Sequence, residues 1–263
     1  MNRAALLASL MALSSLSHAV LVGSDNANDS VYTVNWTASN YGGSFGDNGG
    51  VGFFGWEADR GGIPDDTDYF IYTSSQNGLG TSGPNIDNNG RSFGITTMGG
   101  GDLSVRRRFR GGPSGNPINQ LSFDMDNGTM RTNSFLRMGT ESFSVAIGGP
   151  NANVYRFLSP AGSITTTLPW TDTGLHVDIK VLNATDVQMT ARRLVDNVTY
   201  SHTFTVDPFD ARLLAFEAFV TQDGFGGDRY EHYFNNLTTY AVPEPGTLAA
   251  LGLGLAAIIR RRK

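Results

Sequence analysis

Leu175-His176-Val177-Asp178-Ile179-Lys180-Val181 alternates apolar and polar side chains without a break. A period of two places Leu175, Val177, Ile179 and Val181 on one face of an extended strand and the polar residues on the other. The same rhythm recurs on both sides of this stretch. Phe143, Val145 and Ile147 alternate with polar or small neighbours. Val198, Tyr200, His202, Phe204 and Val206 alternate with Thr199, Ser201, Thr203 and Thr205. Leu214, Phe216, Ala218 and Val220 form a further run. Turn signals lie between the runs: Asn183-Ala184-Thr185-Asp186, Asp196-Asn197 and Asp223-Gly224-Phe225-Gly226-Gly227. The second half therefore reads as an antiparallel meander with one apolar and one wet face.

Nearer the N-terminus the pattern predicts strands at 31–36, 68–73, 92–97, 102–110, 121–126 and 133–138. Gly, Asn and Asp fill the stretches between them at 40–52, 74–90 and 111–118. Helical periodicity is missing from this body, a short turn near Pro208–Ala211 apart. Ten or more strands in about 220 residues require two packed sheets. The expectation is an all-β protein, a jelly-roll-type antiparallel β-sandwich, flanked by an N-terminal signal peptide helix and a C-terminal transmembrane helix. The closing segment Tyr233-Phe234-Asn235-Asn236-Leu237-Thr238 resembles the last strand of concanavalin A-like jelly rolls.

Both termini read as export signals. Residues 1–19 have a cationic start at Arg3, an apolar stretch from Ala4 to Leu16, and Ser17-His18-Ala19, with small residues where a signal peptidase reads. Cleavage is expected after Ala19, leaving a sandwich over 20–241. At the other end Val242-Pro243-Glu244-Pro245 is followed by an uncharged run, 246–259, and then by Arg260, Arg261, Arg262 and Lys263. Pro243 and Pro245 fix their own φ and push Val242 and Glu244 out of the helical region, so the tetrapeptide is extended and suits a protease cleft. The run is compatible with a membrane helix, and the four terminal cations act as a cytoplasmic stop. Its 14 residues fall short of the roughly 20 that span a bilayer unaided. Snorkelling arginines and local thinning make up the difference.

This tripartite tail, 242–263, resembles the PEP-CTERM sorting signal of Gram-negative bacteria, also known as an ice-binding-protein C-terminal domain. The resemblance implies export through the inner membrane, transient membrane anchoring, and cleavage near Pro243–Pro245 by an exosortase-type membrane protease. It also implies a cell that makes exopolysaccharide, and a final place on the cell surface or in the extracellular matrix.

Without Arg3, Glu244 and the four terminal cations the chain keeps 14 basic and 23 acidic side chains, a net of −9. An acidic body argues against nucleic acid as a partner. Cysteine is missing altogether, so stability rests on the core rather than on disulfides.

Catalytic signals are sparse. Concanavalin A-like glycosidases carry Glu-x-Asp-x-x-Glu or Glu-x-Asp-x-Glu on one strand. Glu57-Ala58-Asp59 begins that pattern, but Gly61 and Gly62 stand where the third carboxylate belongs. Glu217 is followed by Phe219 and Thr221, and Glu141 by Phe143 and Val145. No catalytic residue is assigned. An oxygen-ligand loop for calcium is sketched by Asp124-x-Asp126-Asn127-Gly128, with Asp65-Asp66-x-Asp68 and Asp223…Asp228 as weaker versions. Phe135 occupies the twelfth position, where an EF-hand needs Glu.

Sugar binding requires exposed aromatic rings beside polar groups. Trp56, next to Glu57 and three glycines or phenylalanines, and Trp170, after Pro169, are the candidates. On the strand at 102–110, Arg106, Arg108 and Arg110 fall on one face and Arg107 with Phe109 on the other. Three arginines on one face can grip carboxylates of an acidic polysaccharide. The reading at this level is a non-enzymatic, surface-sorted matrix protein that binds exopolysaccharide. Two alternatives stay open: a carbohydrate-active enzyme with a dispersed site, and an ice-binding or adhesion protein.

Overall fold

The computed structural model describes residues 19–32, 36, 39–40, 49–61, 67–72, 74, 86–97, 100–111, 117–127, 134–149, 153–222 and 230–242. The expected signal helix and membrane helix lie outside the described residues. Among the described residues sixteen strands run in chain order: β1 Val20–Asp25, β2 Ser39–Asn40, β3 Glu57–Gly61, β4 Thr67–Tyr72, β5 Ser92–Thr97, β6 Asp102–Arg108, β7 Ile118–Asp126 and β8 Ser134–Gly139. They continue with β9 Ser144–Gly148, β10 Val154–Ser159, β11 Gly162–Pro169, β12 Leu175–Val181, β13 Asp186–Arg193, β14 Thr199–Thr205, β15 Ala215–Gln222 and β16 Tyr230–Ala241.

They build two sheets. Sheet A has the order β14-β13-β12-β7-β16-β5-β4, with β1 also on β16; sheet B has the order β11-β10-β9-β8-β15-β6-β3-β2. Among the described residues all strand pairings are antiparallel except the short β2–β3 pair. The expected meander is split between the sheets: β8 to β11 follow one another in B, and β12 to β14 in A. The sheets face each other as an antiparallel sandwich of jelly-roll type, as the alternation predicts.

Alternation sets which side chains are shared. Val177 and Ile179 on β12, Phe123 and Met125 on β7, and Phe234 on β16 are fully buried from sheet A. Leu103 and Val105 on β6, Leu136 on β8, and Phe216, Ala218 and Val220 on β15 meet them from sheet B. The centre is aromatic: the Trp36 and Trp56 rings lie 4.6 Å apart, and Phe93 stacks on Phe234 at 5.3 Å. Such pairs add about 0.5–1.5 kcal/mol each beyond their buried area.

Two local differences have clear causes. The strand expected at 31–36 begins instead as a turn through Val31, where the Tyr32 amide bonds the Asp29 carbonyl at 3.0 Å. Tyr32 is thereby turned inward to serve a buried polar network, and residues 33–35 lie outside the described residues. The strand expected at 102–110 stops at Arg108, because Phe109 and Arg110 pair with the 52–54 segment and the β14–β15 connection rather than with β15.

Candidate functional site

The outer face of sheet B gathers the chemistry. Its register places Glu57 of β3 and Glu217 of β15 directly opposite Arg106 of β6, one on each side. The next row along is Asp59, Ser104, Phe219, Arg137, Ala146 and Arg156, from β3, β6, β15, β8, β9 and β10 in turn. Period-two alternation keeps all of these on the face away from the core.

Three carboxylate–arginine pairs lie on this face. Arg108 bonds Glu57, Arg106 meets Glu141 at 3.1 Å, and Arg137 meets Glu217 at 3.2 Å. Ser104 donates to the same Glu217 oxygen at 2.8 Å. The other oxygen, Oε2, is buried with no hydrogen bond among the described residues. The Glu57 and Glu217 side chains are only 3% and 9% exposed, so the carboxylates sit low in the surface, whereas Arg108 keeps 43% and Arg137 29%. Beside them Arg137 covers the Phe219 ring at 5.2 Å and Arg156 covers the Phe135 ring at 5.7 Å. The two rings are 6.5 Å apart, tilted and half-buried. Fixed donors, fixed acceptors and apolar ring surface thus share one half-open face.

The aromatic and arginine candidates are redistributed. Trp56 is fully buried and its Nε1 donates to the Tyr32 hydroxyl at 3.0 Å, so it is core and not a surface platform. Its place between the sheets follows from Gly52, Phe53 and Phe54, which bring the chain in under Arg107. Trp170 packs half-buried against the core beyond the end of β11, away from the Arg106 row. Arg106 and Arg108 share the outer face as expected, but their charges are directed at Glu141 and Glu57. Arg110 sits past the strand end with its guanidinium over Phe54, 5.3 Å away. The three arginines therefore do not form an open cationic row.

Asp124 is likewise committed. His176 faces it across the β7–β12 pair with Nδ1 2.6 Å from Oδ1, and Asn236 donates to Oδ2 at 2.8 Å. The bond to Asp124, joined by one to Asp178, raises the His176 pKa to about 9. An imidazolium thus occupies the position where a cation would be expected to meet Asp124. Asp126, two residues on, is buried. No group of three or more His, Cys, Asp or Glu suited to a metal ion occurs among the described residues. The other two calcium candidates fall wholly or largely outside the described residues, Asp68 excepted; that side chain accepts from the Tyr69 amide at 2.8 Å.

Sequence reasoning missed Phe135, Arg137, Arg156 and Phe219, and weighed Glu57 and Glu217 only one strand at a time. A usable signal was present in Arg137 and Arg156, charged residues that interrupt otherwise apolar strands. The long-range register that joins six strands into one face was not.

Residues 241–263 match the PEP-CTERM protein-sorting motif. That motif marks a protein for export and membrane-anchored sorting to the cell surface, and is a signal for exosortase processing. No protein of curated function matches the chain in sequence. Several solved structures are similar in strand layout. One is a carbohydrate esterase from the Shiga toxin-encoding bacteriophage phi24B, at 10% identity and a TM-score of 0.47, covering 86% of this chain and all (100%) of that one. Another is the CBM2 module of an evolved Dit from Lactobacillus casei BL23 phage J-1, at 11% identity and a TM-score of 0.44, covering 72% and 98%. A third is a protein of unknown function from Shewanella oneidensis MR-1, at 10% identity and a TM-score of 0.45, covering 89% and 94%.

Proposed function

We propose that the chain is a surface-sorted polysaccharide-binding protein that uses the outer face of sheet B. Residues 1–19 are its signal peptide, removed by signal peptidase. Residues 20–241 are the binding domain, and 242–263 the anchor that an exosortase-type protease cuts near Pro243–Pro245. The observation that carries the binding assignment is the Glu57–Arg106–Glu217 row beside the Phe135 and Phe219 rings. Sugars offer vicinal hydroxyls to paired donors and acceptors, and their C–H faces to rings. Paired guanidinium and carboxylate groups are planar, bidentate partners held in place by each other. Few of their rotamers remain to be frozen when a ligand arrives.

The pairing also refines the ligand class. Because Glu57, Glu141 and Glu217 each already have an arginine partner, this part of the face presents alternating donors and acceptors rather than net positive charge. That suits a hydroxyl-rich, weakly charged exopolysaccharide better than a densely acidic one. It equally suits recognition better than proton transfer. Two strand spacings separate Glu57 from Glu217, about 10 Å between Cα atoms, and Arg106 lies between them.

The test is retention of the purified protein on matrix polysaccharide from the producing cells. Arg137→Ala and Phe219→Ala are expected to lower retention at least tenfold with unchanged melting. Equal retention of both variants and the parent would remove the assignment. Reducing-sugar release from the same polymer would favour the enzyme alternative.

A further inference from the structure

We propose that, while the tail anchors the protein, the end of the sandwich from which that tail departs rests on the bilayer, with its exposed apolar rim seated in the headgroup layer. This rests on the anchoring part of the function proposed above, and is independent of the polysaccharide face.

The argument starts with the length of chain available. Strand β16 ends at Ala241, paired on one side with Val20 of β1 and on the other with Ile118 of β7. Only Val242-Pro243-Glu244-Pro245 separate Ala241 from the uncharged run that begins at Gly246. Four extended residues reach at most about 14 Å. A headgroup layer is about 5–8 Å deep on each side of the hydrocarbon. The tether cannot hold the domain far above the surface, so this end faces lipid at close range.

The composition of that end matches its position. Val20 is 49% exposed and Leu21 52%, right beside the tether. Leu182, just past β12, is 48% exposed; Phe209 and Leu214, on the β14–β15 connection, are 69% and 58% exposed. The register brings them to one end: Lys180 pairs with Gln120 near the start of β7, Val181 with Val187, and Asp186 with Thr205. An apolar cavity of about 500 Å³ opens there, lined in part by Phe109, Ile118, Val181 and Leu214. Val195 and Val198 are exposed in one turn at the opposite end, and Val31, Val51 and Tyr72 are exposed outside both groups.

Phe209 is held outward rather than merely left out. The Asp207 side chain accepts from the Phe209 amide at 2.9 Å, and the Asp207 carbonyl accepts from the amides of Asp210 at 2.9 Å and Ala211 at 3.2 Å. The turn so formed carries the phenyl ring at its tip, with the Arg212 guanidinium 4.9 Å above it. An aromatic ring beside a long cationic side chain is the arrangement that suits an interface, the ring in the acyl boundary and the cation in the headgroups. The body's net charge of −9 opposes attraction to anionic lipid. Apolar contact therefore supplies the docking, and a zwitterionic surface suffices.

The chain has no cysteine, so single labels report cleanly. The full chain carrying Phe209→Cys, Leu214→Cys or Val195→Cys would be labelled with a polarity-sensitive fluorophore and reconstituted into phosphatidylcholine vesicles. Labels at 209 and 214 are expected to shift to the blue and to be quenched by lipids with a shallow acyl nitroxide, while the label at 195 keeps its value in water. Equal, water-like emission from all three sites would overturn the docking while leaving the anchor intact. A chain that fails to float with the vesicles overturns the anchor, and the docking with it. Exchanging a third of the lipid for phosphatidylglycerol should leave the shift unchanged or smaller; a shift seen only with the anionic lipid would contradict apolar seating.

Discussion

Arg107 and Asp25 form an ion pair whose two side chains are both completely buried. The guanidinium also donates to the Tyr32 hydroxyl at 2.7 Å and to the Phe54 carbonyl at 2.9 Å, and lies 5.0 Å from the Trp56 ring. Burial, with the Arg110 charge adding to it, pulls its pKa down to about 9, still cationic at neutral pH. The pair fastens β1 to β6 across the mouth of the sandwich. Removing one partner leaves an uncompensated charge, which in buried pairs costs about 3–5 kcal/mol. Asp25→Asn is expected to lower urea-unfolding stability by about that amount. Replacing both residues with Leu and Met should recover much of it. A loss below about 1 kcal/mol for the single variant would show the pair to be dispensable.

The sheet B face makes a different kind of prediction. Arg137 is 29% exposed and Phe219 half-buried, so truncating either removes ligand contact with little loss of core. Glu217→Gln is more informative. It keeps the shape but weakens the bonds from Ser104 and Arg137, releasing an arginine to solvent. Binding to a neutral polysaccharide should fall, and binding to an acidic one should rise, with a steeper dependence on salt. Parallel changes for the two polymers in affinity electrophoresis would contradict the pairing argument.

His232 gives the protein an acid limit. It is fully buried between the sheets, and its Nδ1 lies 2.7 Å from the Asn127 carbonyl, which must accept. The proton is therefore on Nδ1. Burial pulls the pKa from 6.5 down to about 4, with the bond to Asn127 opposing. A base whose folded pKa is depressed stabilises the fold above its unfolded value. The unfolded chain takes up the proton first, so that stability drains as pH falls from about 6.5 to about 4. At 1.36 kcal/mol per unit the loss is about 3 kcal/mol. His232→Gln should be less stable at neutral pH and should flatten this window in denaturant titrations at stepped pH.

Much of this fold was legible because period two is a local signal. Val177 and Ile179 are core and Asp178 is not, and the heptapeptide alone says so. Strands β10 and β11 were overlooked; in β11 the exposed residues Thr165 and Thr167 and the buried Thr166 are all Thr, so composition carries no alternation there. The polar network around Arg107 was hidden for another reason. An arginine on the apolar face of β6 reads as a solvated charge until Asp25, 82 positions earlier in sequence, arrives beside it. The Glu57–Arg106–Glu217 row has the same character. It exists only through two registers, each pairing residues distant in the chain. Turn chemistry was easier: Asn183 caps its own turn, accepting from the Thr185 and Asp186 amides at 2.9 Å each, as an Asn at that place should.

The outer face of sheet A sets an alkaline limit. His176 lies between Asp124, 2.6 Å away, and Asp178, 3.5 Å away, and its pKa is raised to about 9. Burial of the ring opposes this rise but does not overcome the two carboxylates. A group raised in the fold contributes stability that is fully present below its unfolded pKa near 6.5, and that is lost as pH climbs through about 9. The imidazole is 30% exposed, so solvent screens the effect, and the direction rather than its size is the prediction. His176→Gln should narrow the difference in melting temperature between pH 6 and pH 10. The double variant with Asp124→Asn should change little more than either single one, since both act through one contact. Additive losses from the two substitutions, read by calorimetry at pH 6, would show that Asp124 is held by Asn236 and the backbone of β7 instead.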